Sequence, residues 1–204
     1  MSAGRRVTVA AVSAALIPGL LGACSTGRDA VAQGGTFEFV SPGGKTDISY
    51  DPPSARGRPG PLSGPDLADP ARTLSLDAPQ FAGRVLVINI WGQWCGPCRA
   101  EAGQLQAVYN ATSAAGVSVL GIDVRDTNRQ AALDFVTDRH LSFPSIFDPP
   151  MRTLIAFGGT YPTTVIPSTL VLDRRHRVAV VFLRPLLAED LQPVVLRLAQ
   201  ESPQ

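Results

Sequence analysis

The chain predicts an α/β fold in which a central mixed sheet is flanked by helices, and three observations carry that prediction. Residues 84–90 (RVLVINI) form a short, almost wholly apolar run of the kind buried on both faces of a parallel or mixed sheet. A second apolar run at 117–124 (VSVLGIDV) follows after one helix's worth of chain, so strand, helix and strand imply a parallel pair with a crossover. Residues 165–173 (VIPSTLVLD) and 178–183 (VAVVFL) then supply two further strands, close enough in sequence to pair antiparallel.

At 204 residues the chain is long enough for one domain, and its formal net charge of +1 suggests no polyanionic partner such as nucleic acid. The first element reads as a targeting signal. Residues 1–6 carry Arg5 and Arg6, residues 7–21 are apolar, and Leu21-Gly22-Ala23-Cys24 resembles a bacterial lipobox. Pro18 and Gly19 interrupt the apolar run, which is shorter than the roughly 20 apolar residues of a membrane span. Residues 1–23 are therefore expected to be a lipoprotein signal peptide and Cys24 the lipidated first residue of the mature chain. Cleavage elsewhere, leaving Cys24 free, is the alternative. The chain holds three cysteines, so a lipidated Cys24 and one redox pair would leave none over. The expected location is the outer face of the cytoplasmic membrane, lipid-anchored and extracytoplasmic.

Residues 24–35 read as a polar tether, and residues 36–204 as the folded domain with an N-terminal extension over 36–72. Within that extension, 36–40 and 46–50 read as the strands of a β-hairpin around Ser41-Pro42-Gly43-Gly44. Residues 51–70 are too rich in Pro and Gly for regular structure and read as an ordered surface loop. Residues 73–76 suggest one more strand before the turn at 77–83.

The strand at 84–90 stops abruptly at Trp91-Gly92-Gln93-Trp94-Cys95-Gly96-Pro97-Cys98. Gly92 loosens the backbone, and Pro97 lacks an N–H that a first helical turn does not use, which predicts a helix from about 95 to about 115. Such a start places the Cys95 sulfur among unpaired helix N–H groups at the positive end of the macrodipole, where thiolate is favoured over thiol. Cys95 is the expected nucleophile, and Cys98, one turn further on, the resolving thiol. Other readings of the pair are weaker. Zinc needs four ligands, and His140 and His176 are far apart in the chain. Haem attachment needs His after the second cysteine, where Arg99 stands. A purely structural disulfide remains open. No metal and no cofactor beyond the cysteine pair is expected.

Trp94-Cys95-Gly96-Pro97-Cys98 resembles the W-C-G-P-C signature of the thioredoxin fold. The longer stretch V-L-V-I-N-I-W-G-Q-W-C-G-P-C-R-A-E is similar to the membrane-tethered TlpA/ResA/CcmG (CcsX) branch of that family, because Asn89 stands where thioredoxin has a buried Asp and Glu101 matches a glutamate of the branch. The resemblance implies that Glu101 helps to tune or deprotonate the cysteines. The rival reading of Glu101 is an acid favoured by a helix N-terminus.

Residues 128–140 predict a second helix with Asn128 as its cap and Ala131, Ala132, Phe135 and Val136 on one side. A short extended piece at 143–148 and a short helix at 151–157, ended by Gly158-Gly159, make an insertion between the two halves of the fold, again as in the TlpA branch. Residues 165–173 resemble the family's P-T-x-x-x-x-D strand opening. The resemblance implies that Pro167 is cis and faces the cysteines, leaving the Ile166 backbone to pair with substrate beside Trp94; Pro162 has similar neighbours but no apolar strand after it. Arg174-Arg175-His176-Arg177 lacks the glycine common in this hairpin and reads as a solvated loop. Residues 189–200 close the chain as an amphipathic helix through Leu191, Val194, Val195 and Leu198. His140 and His176 have no expected functional role, and Trp91 is expected to pack beside the site.

The resemblance implies a reductant of apocytochrome c disulfides in cytochrome c maturation, recharged by a membrane electron donor of the CcdA or DsbD kind. The rivals are the reverse reaction, an oxidant that introduces disulfides into exported proteins, and a non-catalytic binding lipoprotein on the same scaffold. A thiol peroxidase is disfavoured, because Ile88 and Gly92 stand where such enzymes carry Pro and Thr or Ser.

Overall fold

The computed structural model describes residues 35–202, together with Met1 and Gly4. Cys24 and nearly all of the expected signal peptide and tether lie outside the described residues.

In chain order the elements are β1 (Asp47–Ser49), β2 (Ser63–Pro65), β3 (Thr73–Ser75), β4 (Val85–Trp91), α1 (Gly96–Thr112), β5 (Val117–Val124) and α2 (Arg129–Asp138). They continue with β6 (Ser145–Asp148), β7 (Ser168–Leu172), β8 (Val178–Phe182) and α3 (Ala188–Gln200). Six strands form one mixed sheet in the order β1-β8-β7-β4-β5-β6. β4 lies at its centre, parallel to β5 and antiparallel to β7. Every residue of β4, β5, β7 and β8 is buried, which explains why these strands read as continuous apolar runs rather than as alternating ones.

The helices share one face of that sheet. Leu105 and Val108 of α1 and Leu191, Val195 and Leu198 of α3 pack with Val85 and Val87, while Ala132 and Phe135 of α2 pack with Trp91, Cys98 and Ala102. Among the described residues the opposite face is covered without an α-helix. Phe37, Phe39, Tyr50, Leu62, Leu74, Leu76 and Phe81 come over it from the N-terminal extension, and Leu154 and Phe157 from a 3-10 turn at Arg152–Phe157 in the insertion.

The extension departs from expectation in pairing. Residues 36–40 and 46–50 do not form a hairpin with each other. β1 instead adds to β8 at the sheet edge, with Ile48 opposite Val181, and Thr36 bridges to Arg58. The hairpin of the extension is made by β2 and β3. Burial accompanies this pairing: Phe37 and Tyr50 are both 1% exposed and stack edge to face at 5.3 Å, and Tyr50 N–H donates to Ala179 O, continuing the edge that β1 makes with β8. Residues 51–70 are mostly irregular and lie partly at the surface, as expected, but they are more than a loop. They contain β2 and bury Arg56, Leu62, Asp66 and Leu67, and Leu67 N–H donates to Ser145 O (2.7 Å), covering the edge of β6. Gly57 is required in this strap, because a Cβ there would sit 2.7 Å from the Phe37 Cα.

The turn 174–177 is also not a solvated loop. Arg174 donates to Ala199 O and Gly83 O, Arg177 pairs with Asp173, and His176 is buried with Nε2 at 2.9 Å from Phe81 O. His176 takes the left-handed conformation (φ 56°) that a glycine would otherwise supply.

Candidate active site

Cys95 is the N-cap of α1, and Pro97 occupies the first turn, as the missing N–H of proline allows. The two cysteines form a disulfide with a Cα–Cα distance of 5.2 Å. Cys98 N–H points at Cys95 Sγ (3.2 Å), so on reduction a negative charge on that sulfur would meet a helix-terminal donor. Both residues are almost fully buried, at 4% and 2% exposure.

Three elements converge on the pair. The Ile166–Pro167 peptide is cis, while Pro162 is not among the cis bonds of the described residues, and Ile166 O lies 3.7 Å from Cys95 Sγ. Trp94 is 45% exposed beside the disulfide, and its indole Nε1 donates to Val124 O at the end of β5 (2.9 Å). The ring folds back over Gly92, where a Cβ would stand 2.3 Å from Nε1. Trp91 is buried against Phe135, with ring centroids 5.5 Å apart, which is the packing role expected of it.

Glu101 is buried at 2% exposure rather than solvated near the helix start. Its carboxylate accepts from Asn89 Nδ2 (2.9 Å) and from Leu186 N–H (2.9 Å). Burial pushes its carboxyl up to about 7, although both hydrogen bonds act the other way. Asn89 also donates to Thr169 Oγ1 (3.1 Å), tying β4 to β7. Asn89, Trp91, Cys98, Ala102 and Phe135 line a cavity of about 10 Å³, so the amide that donates to Glu101 and the Cys98 side chain share one small cavity.

Two anchors of the active-site turn were not legible beforehand. Asp126, in the loop after β5, accepts from Gln93 N–H (2.8 Å) and from Gln93 Nε2 (3.1 Å), and Arg99 reaches Gln93 O from α1 (3.5 Å). The only sequence signal was a second acid two residues past an apolar strand, in Asp123-Val124-Arg125-Asp126. Among the described residues no cluster of His, Cys, Asp and Glu is arranged to hold a metal ion.

A buried C-x-x-C at a helix start, facing a cis-proline loop, is a thiol–disulfide exchange site on a thioredoxin-like fold, and comparison with known proteins agrees. The AhpC/TSA family matches residues 65–181. The chain belongs to that family. Its relatives are thiol–disulfide enzymes: the thiol:disulfide interchange protein DsbE of Allochromatium vinosum is 32% identical over 143 residues, spanning 69% of this chain and 75% of that one. The solved structure of a secreted thiol-disulfide isomerase from Corynebacterium glutamicum is 44% identical with a TM-score of 0.77, covering 81% of this chain and 99% of that one. A DsbF homologue from Corynebacterium diphtheriae is 43% identical with a TM-score of 0.72, covering 78% and 98%. This member of the family is a thiol–disulfide oxidoreductase.

Proposed function

We propose that the chain is an extracytoplasmic reductant that opens the C-x-x-C disulfide of apocytochrome c so that haem can attach. The observation that supports this most is the buried Glu101 beside the redox pair, poised by burial near neutrality and therefore able to take and return a proton as thiols form and disappear. In the forward step the Cys95 thiolate attacks one sulfur of the partner's disulfide, forming a mixed disulfide and releasing a partner thiolate. Cys98, deprotonated, then attacks Cys95 Sγ; the second partner thiolate leaves and the Cys95–Cys98 disulfide forms, so two electrons pass to the partner. Trp94, Ile166 and Pro167 form the surface on which the partner's chain docks. A membrane donor of the CcdA or DsbD kind returns the two electrons.

The Cys24 lipid anchor belongs to the same reading: residues 1–23 direct export and a lipid holds the protein at the outer face of the membrane. Cys24→Ala should release the protein from membranes with its redox chemistry intact, and retention on the membrane would count against the anchor.

A second reading is favoured by the names of the two similar solved structures, a secreted thiol-disulfide isomerase and a DsbF homologue, which point to disulfides of exported proteins instead. The equilibrium potential of the Cys95–Cys98 pair decides between them. A value near or below roughly −270 mV supports the reductant, and one near roughly −120 mV makes the protein a disulfide-forming oxidant.

A further inference from the structure

Asp123 stands on β5 directly opposite Trp91 of β4 and Phe147 of β6, and it is completely buried. Neither of its carboxylate oxygens has a hydrogen-bond partner of ordinary geometry among the described residues, and neither does the neighbouring Trp91 Nε1. A carboxylate in that position would be an uncompensated buried charge, which proteins avoid by keeping the proton. The groups around it favour the same outcome. Asp126, itself 2% exposed, faces it from the loop after β5, and the two acids repel if both ionise. Arg129 of α2 is the cation acting on it, but that guanidinium is engaged with Leu67 O and Asp66 O and lies over the Phe147 ring at 5.0 Å. Directly opposite it, β4 and β6 present the rings of Trp91 and Phe147, with Ser145 of β6 and Asn89 of β4 two residues away on the same face. From α1, Arg99 turns to Gln93 O and the Phe135 ring, and Glu101 is taken up by Asn89 and Leu186. Asp66, in the strap, pairs with Arg72.

Asp126 has a task of its own. Its two oxygens hold the backbone and the side chain of Gln93, one step of a turn in which Gly92 O accepts from Cys95 N–H (3.1 Å) and Trp94 is pinned to Val124 O. The orientation of the nucleophile therefore depends on an acid that shares its burial with a second acid.

We propose that Asp123 and Asp126 are a positioning pair for the active-site turn: a proton on Asp123 leaves Asp126 as the single carboxylate that holds Gln93, and loss of that proton loosens the turn carrying Trp94 and Cys95. The pair is separate from Glu101, which approaches the cysteines from the α1 side of Asn89. Burial foremost, then Asp126, pushes the Asp123 carboxyl up to about 9, against about 7 for Glu101, so the two acids give separable transitions.

The test uses the oxidised full-length chain, in which neither active-site cysteine titrates. Both tryptophans of the chain, Trp91 and Trp94, lie at this corner, so their fluorescence reports it. A transition near pH 9 is expected in the wild type, absent in Asp123→Asn and retained in Glu101→Gln. Persistence of that transition in Asp123→Asn overturns the proposal. Asp126→Asn keeps the shape but removes the neighbouring charge, and it should move the same transition to lower pH by about one unit. A transition left in place overturns the coupling of the two acids. If Asp123→Asn does not fold, carboxyl carbon NMR of the oxidised wild type answers the same question: a protonated Asp123 at neutral pH supports the pair, and an ionised one overturns it.

Discussion

Two ends of the same sheet bury charge with opposite results. At the end away from the cysteines, Arg56 has a fully buried side chain, yet it donates to Tyr50 O and to the carboxylates of Asp51, Asp173 and Glu201. Burial works against its charge, but Glu201 and then Asp51 hold its pKa above the ordinary arginine value; burial pushes the Asp173 carboxyl up, but hydrogen bonds from Arg177 and Arg175 hold it below the usual range. At the cysteine end the buried acids have few donors or none. Glu101, with two, is pushed up to about 7, and Asp123, with none of ordinary geometry, up to about 9. Burial alone therefore does not decide ionisation; the number of partners reached does. The saturated end ties the extension to the C-terminus, and the unsaturated end carries groups that titrate where chemistry happens.

The sharpest way to break this comparison is to remove the cation that saturates the first end. Arg56→Met would leave Asp173 and Glu201 without their shared partner and should destabilise the fold by about 3–5 kcal/mol in denaturant unfolding, with the Cys95–Cys98 potential unchanged. A destabilisation under about 1 kcal/mol would show that the network is decorative.

At the second end, Glu101→Gln should remove a pH dependence rather than a contact. Because the folded pKa of Glu101 is raised above its ordinary 4.5, the stability that Glu101 contributes is fully present below pH 4.5 and is lost as pH rises through about 7, at up to about 1.4 kcal/mol per unit. Across that window the variant should lose the Glu101 share of the slope and keep the share of Asp123, whose carboxyl is also pushed up, and disulfide turnover should fall by about a hundredfold, the lower end of what a lost acid–base group costs.

Making the two acids more alike gives a smaller effect. Asn89→Leu removes one of the two donors to Glu101, and the Glu101 transition, followed by NMR, should move upward from about 7 by about one unit, toward the behaviour of Asp123. A downward move would contradict the partner-counting account. The smallest effect is expected at the saturated end's exposed margin. The Asp51 side chain is 43% exposed, so Asp51→Asn should cost no more than about 1 kcal/mol, since Arg56 keeps its two other carboxylates.

Much of the scaffold was legible because local physics and tertiary physics agree there. β5 spans the predicted residues, Asn128 caps α2 by accepting from Ala131 N–H (3.2 Å), and the C-x-x-C lies at the start of α1. Agreement ended in the N-terminal extension. Its Thr, Phe and Val residues have strand propensity, but the backbone partners of the extension are distant: Gly57 O receives Val178 N–H, and Ala156 O receives Gly60 N–H. No local pattern encodes such partners. The arginine-rich turn misled for a related reason, since a charged sequence reads as solvated until the carbonyls and the Asp173 carboxylate that receive it are known.

By itself, then, the order of residues determined the central strands, the helix starts and the presence of a nucleophilic cysteine pair, because period, capping and proline chemistry act over a few residues. Tertiary structure alone decided which face the extension covers, that Glu101 is buried between Asn89 and Leu186, and that Asp123 and Asp126 share one corner. Ionisation depends on desolvation and on partners brought together from distant parts of the chain, and neither exists until the sheet has closed around them.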